Sequence, residues 1–214
     1  MRKFSERLGV VSPRDVFQRE SIDQRLRNRL WSACDRVFWS NLYYATRDGD
    51  SYTDLIVGSV QDQFFGNTID SLRHYTSENI AAFGRWYQSA KWNEVYDFIQ
   101  FLGDFSTQTG QGPDRARARQ EGSQFQLAAN EVLSEEKSAY RFVSGELCEV
   151  TDEVEIRAIE SVSSVDGRFA GAKTHIQRAL AHFASRDSPD YRNSVKESIS
   201  AVESVYSIVN GRRS

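Results

Sequence analysis

The sequence predicts a mainly α protein, a helical bundle carrying one small β-hairpin. Three observations predict it. Apolar residues recur three and four positions apart through most of the chain, the spacing of one helix face. Only 3 prolines and 13 glycines interrupt the 214 residues. Strand-like runs occur as a single pair, Tyr140–Val143 and Leu147–Val150, joined through Ser144-Gly145-Glu146. With 39% hydrophobic and 12% aromatic residues, the chain has enough apolar surface to bury an ordinary core.

Taken in order, the first helix is expected to start at Ser21, where Ser21-x-x-Gln24 has the form of a capping box, and to bury the stripe Ile22, Leu26, Leu30, Ala33 and Val37. Asp48-Gly49-Asp50-Ser51 marks a turn. A second helix spans Tyr52–Phe65 and is broken by Gly66-Asn67. A shorter one covers Asn79–Gln88, and Trp92–Leu102 carries Trp92, Val95, Tyr96, Ile99 and Leu102 at core spacing. Thr107–Gly112 reads as a loop, and Pro113 opens a helix to about Glu136. After the hairpin, helices are expected from Thr151 through Ser161 and over Asp166–Arg186, the latter with Phe169, Ile176, Leu180 and Phe183 inward. No solenoid-type repeat appears. The chain is expected to divide into residues 1–136, a helical region, and 137–214, the hairpin with the last helices, forming one compact unit; Gly103–Pro113 is an alternative boundary.

Lys+Arg 27 against Asp+Glu 30 gives a net charge of −3, so no global basic field advertises nucleic acid, and any RNA contact needs a local patch. The opening Met1-Arg2-Lys3-Phe4 lacks a signal peptide's apolar region, and no apolar run approaches a membrane span. With only Cys34 and Cys148, the expected setting is the cytoplasm, with both thiols reduced and no membrane contact.

The last helix is the most informative stretch. Ser188 can cap it, Pro189 suits its first position, Asp190 favours the positive end of its dipole, and Gly211 closes it. At ~100° per residue, Arg192, Glu203 and Lys196 fall within about 40° of one another. Val195, Ile199, Val202, Tyr206 and Val209 take the adjacent arc. The expectation is that this arc is buried and that two cations and a carboxylate line its half-desolvated rim. A ladder of i,i+4 and i,i+7 ion pairs beside a core is the plainer use of the same residues.

Several segments resemble a bacterial phage-defence family, the AbiJ-type N-terminal domains of the fourth kind, grouped with HEPN-like folds. They are Phe4-Ser5-Glu6-Arg7 with Gly9, Leu26-Arg27-Asn28-Arg29-Leu30-Trp31, Trp92-Asn93-Glu94-Val95-Tyr96-Asp97-Phe98, Tyr140-Arg141-Phe142-Val143-Ser144-Gly145-Glu146, and the run from Ser188 to Glu203. The resemblance implies a mostly helical abortive-infection module, connected to RNA cleavage directly or through a second subunit. It also implies a homodimer or a complex with another defence protein. HEPN ribonucleases place a His four to six residues after an Arg, so that the His handles a proton and the Arg the scissile phosphate. Here Arg192-Asn193 begins the pattern, but Glu197 stands where the His is expected. Longer members of the family continue with a further helical portion. If that portion carries the Arg and His, this chain is a module without chemistry of its own.

The candidate catalytic set is therefore Arg192, Asn193, Lys196, Glu197 and Glu203, with Arg178 and His182 in reserve beside His175 on an outward face. No cofactor is implied, and His175 with His182 lacks the further ligands a metal needs. Arg115, Arg117 and Arg119, with Arg85 and Arg14, form a basic collar able to touch an RNA backbone, though pairing with Glu121 is the simpler reading. Arg73-His74 reads as surface, and Trp31, Trp39, Trp86 and Trp92 as core. Among Arg25, Arg27 and Arg29, which flank the first helix around Asn28, Arg27-Asn28 repeats the Arg-Asn pair of the last helix and is expected to join the chain ends by pairing with Glu203 or Glu197. Two functions remain open: an antiphage component acting on RNA, or an inert interaction module that binds a defence effector.

Overall fold

Residues 17–45, 50–107, 110–143, 145–150, 169–184 and 190–209 are described in the computed structural model. Helix α1 spans Gln24–Val37. Its cap is Asp23 rather than Ser21: the Asp23 carboxylate accepts from the Leu26 backbone N–H at 2.8 Å, filling the first turn's orphan donor. Leu26, Leu30, Ala33 and Cys34 point inward as the periodicity requires, and Phe38, Trp39 and Leu42 extend the same buried surface.

Helix α2, Ser51–Ser59, is capped by Asp50 and runs into a π-helical turn over Val60–Phe64, so the expected helix through Phe65 is present with its last turn widened. Gly66, at φ 64°, ends it. Helix α3, Thr76–Ser89, begins three residues earlier than its apolar pattern suggested. Asn79 explains this. Its side chain bonds the Arg73 N–H and C=O and so fixes the approach to the helix. Helix α4, Trp92–Gly103, has Glu94 reaching back to the Lys91 N–H at 2.6 Å. A 3₁₀ turn over Asp104–Thr107 leads towards α5, Pro113–Glu135.

Strands β1, Tyr140–Val143, and β2, Glu146–Glu149, pair antiparallel with Tyr140 opposite Glu149 and Val143 opposite Glu146. The second strand starts one residue before its expected position, and Gly145 takes φ 96° in the turn. The mainly α fold with one hairpin is thus the observed one.

One core unites these elements. Trp39, Tyr52, Tyr87, Phe98, Phe105 and Phe125 are fully buried in it, and the hairpin contributes Tyr140, Phe142 and Leu147. Trp39 is core, and Trp31, Trp86 and Trp92 pack against it, as their apolar neighbours indicated. Helices α1 and α5 are clamped at the surface of this core. Glu136, 4% exposed, pairs with Arg25 at 2.9 Å and Arg29 at 2.6 Å, and Arg29 also pairs with Glu135.

Beyond the hairpin lie α6, Ala170–Ala184, and α7, Tyr191–Val209. Helix α6 packs on β1 and β2, and α7 packs on α6. The two run antiparallel, since His182 lies by Asp190 at one end and Gly171 by Ser204 at the other. The helix expected over Thr151–Ser161, the capping positions Ser188 and Pro189, and the closing Gly211 lie outside the described residues. So do the side chains of Leu180, Phe183 and Val209. Among the described residues, no helix is long and apolar enough to cross a membrane.

Candidate functional site

The α6–α7 pair meets along a seam of small residues. Ala172, Ala179 and Ala201 are buried on the two helices, and at the seam a β-carbon on Gly171 would stand 3.3 Å from Ser204 Oγ. Small side chains let the two backbones come close, and they determine which face of α7 turns inward. That face is not the apolar one. Val195, Ile199, Val202 and Tyr206, expected to be buried, are 59%, 55%, 69% and 62% exposed, and Tyr191 and Val205 extend the same open stripe. Among the described side chains, α6 meets α7 through Gly171 and His175, which lie against Ser204 and Glu197 on the Ala201 side of α7, away from its valine and tyrosine side.

This rotation changes the setting of the candidate residues. Arg192, Lys196 and Glu203 are all exposed. They flank an open stripe instead of rimming a buried one, and among the described residues no ion pair joins them. Asn193 is engaged locally: its backbone N–H donates to Asp190 at 3.0 Å and its side-chain amide at 2.6 Å. Asp190 is thereby the residue that caps α7, and these bonds hold its carboxyl below the usual range.

Glu197 reaches across the seam. It meets His175 of α6, Nδ1 to Oε2 at 2.7 Å, a contact the sequence reading missed by placing His175 outward. The His175 hydrogen bond lowers the Glu197 carboxyl from its ordinary range. Partial desolvation opposes this, and the positive fields of His175, Arg178 and Lys196 add to it. The carboxylate occupies one ring nitrogen and fixes the imidazole's orientation, so Nε2 is the nitrogen left for other chemistry. The reserve residue Arg178 is exposed on α6 near this pair, while His182 sits at the Asp190 end, outside it. The seam's alanines, seven apart on α6 and matched by Ala201, were the available signal: His175 and Glu197 each lie three or four residues from one of them.

The remaining basic candidates are committed elsewhere. Arg27 is buried and donates to the carbonyls of Tyr87 at 2.5 Å and Ala90 at 2.9 Å. The expected pairing of Arg27-Asn28 with Glu203 or Glu197 is thus replaced by a clamp to the end of α3, while Arg25 and Arg29 are held by Glu136 at the end of α5. Arg117 lies 3.8 Å over the Tyr52 ring and bonds Glu121 at 2.9 Å, and Glu121 also accepts from the Tyr52 hydroxyl. Burial and that carboxylate push the Tyr52 hydroxyl's pKa strongly upward. Arg119 donates to the Gly110 carbonyl at 3.0 Å, and Arg115 lies against Gly110. Pairing within the protein therefore accounts for much of the expected collar, Arg14 being outside the described residues. Arg73 is a surface residue, 4.0 Å from Glu78. Among the described residues no cluster of His, Cys, Asp and Glu has the makings of a metal site.

Compared with known proteins, residues 2–164 match the model of a family described as AbiJ N-terminal domain 4. Helices α6 and α7 begin after the matched stretch. No curated protein and no solved structure matches the chain.

Proposed function

Since the chain belongs to the AbiJ N-terminal domain 4 family, which associates it with abortive-infection defence against phage, we propose that it works there through a partner chain seated on the open face of α7. The carrying observation is that stripe of exposed valine, isoleucine and tyrosine side chains on one helix. Scattered exposed apolar residues are ordinary, but a contiguous patch edged by charges is the usual mark of an interaction surface. Arg192, Lys196 and Glu203 then serve as its polar rim rather than as a catalytic cleft. In this reading α6 and α7 are the HEPN-like portion, appended to a family domain that supplies the rigid base, and the setting is the cytoplasm.

The test is phage protection in cells. Val202→Glu places a charge in the stripe at a side chain that is 69% exposed, so the fold is expected to survive. Protection should fall to the level of an empty vector while the melting temperature stays within about 2 °C of wild type. Full protection by this variant would remove the proposal.

A second reading, direct action on RNA, rests on a different observation: the oriented imidazole of His175 beside Glu197, with Arg178 and Lys196 near enough to favour a phosphate. Incubating the purified protein with total RNA separates the two. Cleavage that disappears in His175→Ala favours chemistry, and intact RNA favours the partner-dependent module.

A further inference from the structure

Resting on the reading of α7 as a docking face, the geometry points to its occupant: a second copy of the same helix, packed antiparallel about a two-fold axis near Ile199. The stripe from Tyr191 to Tyr206 is about 22 Å long at 1.5 Å per residue. With ~100° per residue, its residues fill an arc of roughly 120°. Arg192, Lys196 and Glu203 line one edge of that arc, and the Ala201 side, against α6, lies beyond the other. Helix α6 therefore sits behind the stripe and leaves it open.

The charged edge decides the orientation. It carries its cations, Arg192 and Lys196, toward the N-terminal half and its carboxylate, Glu203, toward the C-terminal half. A two-fold that reverses the helix direction keeps corresponding edges on the same side, so the charged edge of one copy meets the charged edge of the other head to tail. Lys196 and Glu203 stand three and four residues either side of Ile199, and each comes opposite the other in the second copy. Val195 then lies over Val202, and Tyr191 lies near Tyr206. A parallel pair puts each charged edge against the partner's α6 side and forms none of these contacts. The self-complementary arrangement is the isologous kind that two-fold dimers require.

The area is adequate, though modest. Six large side chains, each roughly half exposed, make a patch of several hundred Å². Two such patches facing each other reach about the 1,200 Å² at which specific interfaces begin. A dimer of micromolar rather than nanomolar affinity is expected, steered by the edge charges.

Sedimentation equilibrium of the purified full chain, from about 1 to 200 µM, tests this. Wild type should dimerise within that range, and Ile199→Glu should remain monomeric. Lys196→Glu and Glu203→Lys should each weaken association about tenfold. The doubly reversed protein, Lys196→Glu with Glu203→Lys, should regain the wild-type constant. A wild-type monomer throughout, a dimer untouched by Ile199→Glu, or a double reversal no better than the singles would overturn the antiparallel dimer. Failure here is distinct from failure of the docking-face reading. A monomer whose phage protection is still abolished by Val202→Glu has a different polypeptide on α7. A dimer whose protection ignores that substitution keeps the interface and loses the functional role.

Discussion

Single residues at close approaches carry much of this fold's specificity, and Gly122 is the sharpest case. It lies where α5 crosses the 3₁₀ turn after α4, and a β-carbon there would stand 2.7 Å from the Phe105 carbonyl carbon, with the Ser106 backbone nearer still. In an isolated helix, Gly122→Ala would be favourable by about 1 kcal/mol through backbone entropy. Here the obstacle is backbone rather than a flexible side chain, and such overpacking costs typically 1–3 kcal/mol, sometimes more. The steric term wins. We expect Gly122→Ala to destabilise the protein by about 1–2 kcal/mol net, seen as a lower urea midpoint with an unchanged slope; equal or greater stability would show that the two elements separate easily. Glu136 works by charge rather than space. It is the nearly buried member of a cluster whose arginines stay partly exposed, so it keeps solvated partners and avoids the full penalty of a dry ion pair.

At the scale of elements, the small-residue seam between α6 and α7 carries a polar contact, and this His175–Glu197 pair makes it responsive to acid. Glu197 is held below its ordinary range, first by the His175 hydrogen bond. A carboxylate with a lowered folded-state pKa contributes stability above its unfolded value, about 4.3, and that contribution is lost as the pH falls through the folded value. The difference in melting temperature between wild type and Glu197→Gln should therefore be present at pH 6 and shrink as the pH falls through the lowered folded-state value. A carboxyl titration by NMR should find Glu197 returning toward the ordinary range in His175→Ala, and an unmoved titration would mean that the contact is idle. This contact also marks the limit of what the sequence made legible. Helices α1 and α4 could be read directly because each has a single apolar stripe and one core to face. Helix α7 has two inward-facing options, a stripe of valine and tyrosine and a narrower run of alanine and serine. Periodicity identifies both but not the neighbour that chooses between them. The pairing of Arg27 with main-chain carbonyls was hidden for a related reason: a charged residue inside a helical stripe reveals its position but not that its partners are backbone groups 60 residues away.

The whole molecule is unequal in its packing. The buried aromatic core draws on residues from α1 through β2, whereas the buried apolar side chains described for α6 and α7 are the alanines 172, 179 and 201. Alanine burial removes little apolar surface, and stabilisation scales with that surface at roughly 25 cal/mol per Å². The terminal pair meets the base through the contact of α6 with the hairpin, and α7 is joined to α6 along the seam. This asymmetry suits a device whose outer helix is completed by another chain: the base folds by itself, and the appended pair gains its missing apolar burial on association. Removing residues 169–214 should consequently leave a folded protein. We expect a chain of residues 1–168 to retain cooperative unfolding and near-ultraviolet aromatic signals, because the described tryptophans and the fully buried tyrosines and phenylalanines all precede the cut. Its melting temperature should lie within about 5 °C of the full chain, corresponding to a loss of one or two kcal/mol. It should also be monomeric at every concentration at which the full chain associates. Loss of cooperative unfolding in the shortened chain would mean that α6 and α7 are integral to the core, and their open stripe would then have to be explained as part of one folding unit.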